Sequence, residues 1–283
     1  NRSKLPAKIQ IYSEKLGLVE DGEFEVFFNE FDAADKKFQG GLVAGVGLNF
    51  QNMGTKNIEK NGVGNDLLIG GNMNIMFNET IGLTTGIEFE FSTTKFKTGP
   101  SPLFYYFNDT KIVGIEDAAE ANGLFLLQER NQKSTYLTVP TMLLFRTKFI
   151  GYVRYFGKFG MRHSFLLGQK SNDTGNSFAF TELGSLPANF GATVEQKNMK
   201  ASNEVFFYKG SVGVAGGAEW NFTGSTCLMA EIGYYYGITP LYYNRDNAYM
   251  FTYEADQNGT MVQRPVSNKA TQGQLQLKIS ILF

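Results

Sequence analysis

The chain has 283 residues, 26 Lys plus Arg against 27 Asp plus Glu, a mean hydropathy of −0.21, and an excess of 32 Gly, 26 Phe and 14 Tyr. The aromatics exclude a disordered chain, the missing Gly-X-Y period excludes a collagen, and the near-zero net charge offers nucleic acid no footprint. Cys227 is alone, so there is no internal disulfide framework, and no stretch reaches the ~18 consecutive apolar residues of a membrane helix. The first residue is Asn1 and no signal peptide is visible, which suits a processed mature chain and equally a trimmed one.

Residues 1–39 read as a leader. Within it Phe24, Phe27, Phe28 and Phe31 fall at i, i+3, i+4 and i+7, the apolar stripe of a helix, with Asp21 placed to cap it and Glu23, Glu25, Glu30, Asp32 and Asp35 around it. Glu23-Phe-Glu-Val-Phe27 also alternates, so a strand through Phe24–Phe28 is the rival reading. The stripe either folds as a short helix against the mouth of the following domain or a membrane leaflet, or docks a partner.

From residue 40 onward the period is two, the mark of strands with two unlike faces. The first segment sets Leu42, Ala44, Val46, Leu48 and Phe50 against Gly41, Val43, Gly45, Gly47 and Asn49. The second sets Leu67, Ile69, Met73, Ile75 and Phe77 against Leu68, Gly70, Asn72, Asn74 and Met76, and the third sets Ile81, Leu83, Ile87, Phe89 and Phe91 against Gly82, Thr84, Gly86, Glu88 and Glu90. In the fourth, Leu137, Val139, Leu143 and Phe145 oppose Thr138, Pro140 and Arg146; in the fifth, Val153, Tyr155, Phe159, Met161 and Phe165 oppose Arg154, Lys158, Gly160, Arg162 and Ser164. The sixth sets Phe206, Tyr208, Val212, Val214, Ala218 and Trp220 against Lys209, Ser211, Gly213, Gly217, Glu219 and Asn221. The seventh sets Leu228, Ala230, Ile232, Tyr234 and Tyr236 against Met229, Glu231, Gly233 and Gly237, and the eighth sets Leu275, Leu277, Ile279, Ile281 and Phe283 against Gln274, Gln276, Lys278 and Ser280. One face is almost continuously large and apolar, while the other holds Gly, small polar groups and full charges. That is the pattern of a barrel with its apolar face toward lipid and its polar face toward the lumen.

Connections near Asn78–Thr80, Lys148–Tyr152 and Thr223–Thr226 are short; those near 51–65, 94–133, 169–204 and 239–271 are long, and the two kinds alternate. The prediction is an all-β, eight-stranded antiparallel up-and-down transmembrane β-barrel over residues 40–283, with residues 1–39 as a short N-terminal periplasmic extension. An even strand count puts both termini on the short-turn side, taken as periplasmic, with the long loops extracellular. Phe77, Phe145, Tyr155, Trp220, Phe222 and Phe283 then form one rim, and Phe50, Phe89, Phe91, Phe165, Phe206, Tyr208, Tyr234 and Tyr236 the other, as interfacial girdles require.

Eight strands leave a lumen just wide enough for side chains. Glu88, Glu90, Glu219 and Glu231 point into it against Arg146, Arg154, Lys158, Arg162, Lys209 and Lys278, and unpaired ions are costly there, so a paired network filling the lumen is expected. A narrow conducting pore is the sharper alternative. The many inward Gly are expected to make room for the long Arg and Lys side chains.

The run Tyr136-Leu-Thr-Val-Pro-Thr-Met-Leu-Leu-Phe-Arg146 resembles the Y-L-x-I-P-L-L-L-K strand of the PorT-like outer-membrane β-barrels of Bacteroidota, which are similar to small OmpA-type barrels. Gly233-Tyr-Tyr-Tyr-Gly-Ile-Thr-Pro240 resembles that family's seventh strand, and Leu-Lys-Ile-Ser-Ile-Leu-Phe283 the terminal-Phe signal read by barrel assembly machinery. The resemblance covers residues 40–283 and implies an outer-membrane location and, for some members, a part in type IX secretion. It supplies no set of functional residues, and the leader is long for such a barrel.

No catalytic, cofactor or metal constellation is expected. His163 is the sole histidine and its parity turns it outward; Cys227 points inward as a buried thiol; Gly157–Arg162 lacks the order of a phosphate loop; the glycines of 40–47 lack the strand–turn–helix of a dinucleotide site; and loop acids such as Glu116, Asp117 and Glu120 match no known Ca²⁺ spacing. Loop 239–271, with Tyr242, Tyr243, Tyr249, Phe251, Tyr253 and Arg245, reads either as an interface or as strands extended above the membrane and packed together. The functional expectation is a non-enzymatic barrel subunit that binds envelope protein partners, outer-membrane lipid and the assembly machinery. A surface ligand-binding or adhesin-like barrel acting through its loops is the alternative, and a small channel the third.

Overall fold

The computed structural model describes residues 37–179, 191–202, 204–223, 226–242 and 249–283, together with the backbone of four short strand pieces between residues 7 and 24. Eight strands form the wall: β1 (Phe38–Met53), β2 (Gly64–Met76), β3 (Ile81–Thr98), β4 (Gly123–Arg146), β5 (Val153–Ala179), β6 (Tyr208–Thr223), β7 (Thr226–Gly237) and β8 (Ala270–Leu282). Each pairs antiparallel with the next, and β8 pairs β1 from Ala270↔Met53 to Leu282↔Gly41, so the sheet closes without an edge. This is the eight-stranded up-and-down barrel that the alternation predicts.

Parity holds on every strand. Leu42, Ile69, Ile87, Phe159, Val214, Ile232 and Ile279 are each more than half exposed, while their neighbours Val43, Leu68, Glu88, Lys158, Glu231 and Lys278 are buried. The outward residues form a continuous apolar belt, far more apolar surface than a soluble monomer carries. Of the two predicted rims, Phe206 alone departs: it precedes β6 and is half-buried, and its exposed neighbour Phe207 takes the outer position.

Two devices bend the wall. A register shift between Thr135 and Tyr136 leaves Leu167 of β5 unopposed, a bulge that resets which residues face inward above it. Pro140 sits mid-strand, buried toward the lumen, and the β3–β4 ladder skips from Thr138↔Glu88 to Thr141↔Thr85 where its missing N–H falls.

The inward glycines do two jobs rather than the one predicted. Gly45 makes room both for the neighbouring backbone and for a long cation, since a Cβ there would stand 2.6 Å from the Leu277 carbonyl oxygen and 3.1 Å from Lys278 Cγ. A Cβ at Gly217, however, would be driven into the carbonyl oxygen of Ala230 on β7 and to 2.9 Å from the Phe156 ring. Here glycine permits close approach of backbone, not of a charged side chain. Gly217→Ala should therefore lower the yield of heat-modifiable, folded barrel on a gel, whereas an alanine at Gly40, where nothing lies within 4 Å, should not.

Within the described residues, the predicted long loops are largely folded. β4 and β5, at 24 and 27 residues, run well above the outward belt. Leu103–Asn108 pairs with the top of β4 and turns back as Lys111–Val113, Thr193–Met199 pairs with the top of β5, Ile58–Lys60 pairs with the top of β3, and the hairpin Phe251–Ala255/Met261–Pro265 joins through Phe251↔Phe104. Between them lies an apolar core of Ile58, Phe96, Leu103, Tyr105, Phe125, Leu127, Met199, Val205, Leu241, Tyr242 and Met250, with a second cluster of Phe104, Tyr106, Val113, Leu124, Phe251 and Tyr253. Tyr242, Tyr249, Phe251 and Tyr253 thus serve as cap core, while Tyr243 and Arg245 lie outside the described residues. Opposite this cap, at the short-turn end, Met76, Leu144, Phe156, Cys227, Met229 and Leu282 form a small apolar layer inside the barrel.

In the leader, Ala7–Lys8 pairs with Glu23–Phe24 and Ile11–Ser13 with Gly17–Glu20. Phe24, the first residue of the predicted helical stripe, is therefore extended, because backbone pairing with Ala7 outweighs a helical period only two turns long. Phe27, Phe28 and Phe31 lie outside the described residues.

Candidate functional site: a filled lumen under a folded cap

The ten inward charges read from the sequence meet in one column down the barrel axis. At the level of β3, Arg162 Nη2 donates to Glu88 Oε2 at 2.7 Å and to Glu90 Oε2 at 3.1 Å, while its Nη1 donates to Gln276 Oε1. Lys278 Nζ donates to both oxygens of Glu88 at 2.7 and 3.0 Å, and Lys209 Nζ to Glu90 Oε1 at 2.5 Å. Nearer the short turns, Lys158 Nζ reaches Glu231 Oε2 at 2.6 Å, and Arg154 grips Glu219 in a fork at 2.9 and 2.6 Å. Arg146 donates to Gln39 Oε1 at 3.0 Å and to the Glu79 carbonyl at 3.1 Å. Every one of these side chains is buried. Carboxylates with several donors each, as here, offset much of the desolvation cost of burial.

The column also contains groups that the periodicity did not single out. Asp66 accepts from Asn49 and Gln274, each at 2.7 Å, and Gln274 bridges on to Glu90 at 2.8 Å. Tyr136 lies 4.3 Å below Lys209 Nζ and Tyr235 4.8 Å from the Arg162 guanidinium, both as cation–π partners. These rings fill the lumen, whereas the sequence pattern places aromatics at the rims and in the loops; Gly213 and Gly233 beside Tyr235 are the available signal, since a Cβ at either would strike its ring.

The cap closes the top of this column. Tyr242 accepts a hydrogen bond from Gln51 Nε2 at 3.4 Å and donates to Gln132 Oε1 at 3.3 Å, tying cap core to barrel mouth. The space left beneath it, lined by Ser92, Thr94, Gln132, Ser134 and Tyr136, is about 10 Å³, room for about one water.

A second buried ionic group, unforeseen in the sequence, sits in the cap. Arg130 donates through Nε and Nη2 to Asp173 at 2.8 and 2.6 Å and through Nη1 to Glu204 at 2.5 Å, with the Tyr105 ring 5.5 Å away. It pins the chain entering β6 onto the tops of β4 and β5. Burial, the largest influence, together with neighbouring Asp173, pushes the Glu204 carboxyl above the usual glutamate range despite Arg130. A carboxyl raised in the folded state contributes stability below its unfolded pKa, and that contribution is lost as pH rises through the folded value. The cap should accordingly resist protease better at lower pH than at higher pH, and Glu204→Gln should flatten that difference.

His163 faces outward, its Nδ1 2.8 Å from the Tyr208 hydroxyl. Among the described residues no group of three or more His, Cys, Asp or Glu is placed to hold a metal ion.

The model of the outer membrane protein beta-barrel domain family matches residues 34–243. The chain belongs to that family. The apolar belt is thus the surface that lipid of the bacterial outer membrane covers. No curated protein matches the chain. Among solved structures it is similar to Ail, the attachment invasion locus protein of Yersinia pestis, at 14% identity over 88% of this chain and 100% of that one, with a TM-score of 0.29. It is also similar to the outer membrane protein OprG of Pseudomonas aeruginosa, at 9% identity over 89% of this chain and 99% of that one, with a TM-score of 0.39.

Proposed function

We propose that this is a closed, non-enzymatic outer-membrane barrel that acts as a partner-binding subunit of an envelope assembly. The observation that carries the reading is the division of the molecule: the lumen is spent on buried ion pairs and the Tyr242 stopper, while the long connections condense into a cap with its own apolar core. A pore needs a polar path, and a rigid binding surface needs ordered loops; the molecule has the second. In this reading the short turns and termini face the periplasm, the cap faces outward, residues 1–39 form a periplasmic extension, and Phe283 with the last strand is the assembly signal. The finer likeness to PorT-like barrels of Bacteroidota, and with it type IX secretion, rests on the Tyr136–Arg146 and Gly233–Pro240 runs.

The test is isolation from native membranes in mild detergent. A partner should co-purify with the native chain and be lost when the exposed turn Asp256–Thr260 is replaced by a short glycine linker. A reproducibly solitary monomer would overturn the proposal. The turn is a suitable target because it is self-contained: Asp256 Oδ1 accepts from the Asn258 and Thr260 amides at 2.8 Å each, and Gly259 supplies the positive φ.

A surface ligand-binding barrel is the second reading, favoured by the same folded cap. There the turn replacement abolishes ligand capture by whole cells while no protein partner is lost. Planar-bilayer recordings should be silent in both cases.

A further inference from the structure

Directly above the lipid-covered belt, the outward face of β3, β4 and β5 changes character. The row Ile69–Phe89–Leu137–Phe165 is followed by Leu67–Phe91–Thr135–Gly168, and the next row up is Thr93–Lys133–Lys170. Lys133 and Lys170 are directly opposed across the β4–β5 ladder and both are exposed. Lys95 lies one row higher, diagonal to Lys133, because Asn131 is its partner across the ladder. Opposed like charges on one face of a sheet destabilise it, and directly facing side chains stand roughly 5 Å apart at Cβ.

Among the described residues nothing compensates this repulsion. None of Lys95, Lys133 and Lys170 makes an ion pair with a described residue, although Lys97, one row above Lys95, is paired with Glu59 at 3.3 Å. The nearest acid on the same face, Glu129, stands opposite Lys97, two rows above Lys133.

We propose that Lys95, Lys133 and Lys170 form a site for the phosphate of a membrane lipid headgroup. Three features select this occupant. The lysines sit one to two outward rows beyond Phe91, where side chains leave hydrocarbon and enter the headgroup layer. They project from the wall, not from the cap, so a ligand bound there must lie beside the barrel, with its acyl chains on the belt below. Two facing ammonium groups with no carboxylate beside them call for a multiply bonded anion such as phosphate. The inference rests on the outer-membrane placement and not on the partner-binding reading, so either can fail alone.

The test uses the full chain refolded in detergent and lipid retention measured by native mass spectrometry. The probes are bisphosphorylated lipid A and its dephosphorylated form, identical in acyl chains. The native protein should retain the phosphorylated probe about tenfold better. Lys133→Gln with Lys170→Gln should reduce that preference to near parity while heat-modifiable mobility stays unchanged, and the paired Lys→Arg variant should keep it. Equal retention of the two probes by the native protein, or an undiminished preference in the folded Gln variant, would overturn the proposal. If the Gln variant does not fold, raised salt applied to the native protein serves instead: the preference must collapse, and its persistence would count as refutation.

Discussion

Arg162→Met should destabilise the barrel by about 3–5 kcal/mol, the range for removing one partner of a buried ionic group. The size follows from sharing. One guanidinium serves Glu88, Glu90 and Gln276 and stacks near Tyr235, so its loss strips a donor from two buried carboxylates at once. Lys278 and Lys209 remain, one to each carboxylate, which keeps the loss from being larger. Lys158–Glu231 provides the contrast. It is a simpler pair, so Lys158→Met should cost a similar amount, but Lys158→Met combined with Glu231→Gln should recover most of it, because no uncompensated carboxylate is left. Urea unfolding read by gel mobility checks both. A loss below about 1 kcal/mol for Arg162→Met, the value of an exposed pair, would show that water reaches the column.

Phe251→Ala should open the cap and leave the barrel intact. Phe251 is fully buried, and its ring lies 5.0 Å from Tyr106, 5.6 Å from Tyr253 and 6.1 Å from Phe104. Truncating a buried phenylalanine costs about 3–5 kcal/mol. The ladder of this hairpin with Leu103–Asn108 is the one pair Phe251↔Phe104, so the hairpin is held mainly by these rings, by Tyr253 against Phe104 at 5.2 Å and by the hydrogen bond that Gln263 donates to the Tyr106 hydroxyl. Limited proteolysis should cut between residues 239 and 271 in the variant and spare the native chain, while the temperature at which the barrel band shifts on a gel is unchanged. A lowered barrel transition would show that cap and barrel unfold as one unit.

The wall was legible because each side chain there has one decision to make, in or out, and the alternation records it residue by residue. Lys158 and Phe159 are adjacent in the chain and opposite in environment, and nothing beyond their polarity was needed to sort them. Asp66 was missed because it stands just before the Leu67-Leu68 pair, where two adjacent leucines blur the period. Tyr235 was missed because it sits in a run of three tyrosines, and its role depends on parity with Glu231, not on its type. The cap was illegible for a different reason. Its core gathers Ile58, Leu103, Met199, Leu241 and Met250 from four separate connections, none long enough to show a period of its own. Arg130 reads as one more polar residue in a mixed stretch, and only the fold reveals that Asp173 and Glu204 converge on it.

The seam between β1 and β8 has a kinetic meaning. It is the one junction of the wall that joins the two ends of the chain, whereas every other junction joins strands that follow each other in sequence. Its cost in chain entropy is therefore the largest of the eight, and contacts of such long range form late. Until it zips, β1 and β8 each expose a row of unsatisfied amides and carbonyls next to apolar side chains, a template for unwanted pairing with other chains. A chain cut before Ala270 would hold that vulnerable state indefinitely. The last thirteen-residue strand thus acts as the latch on which escape from aggregation depends.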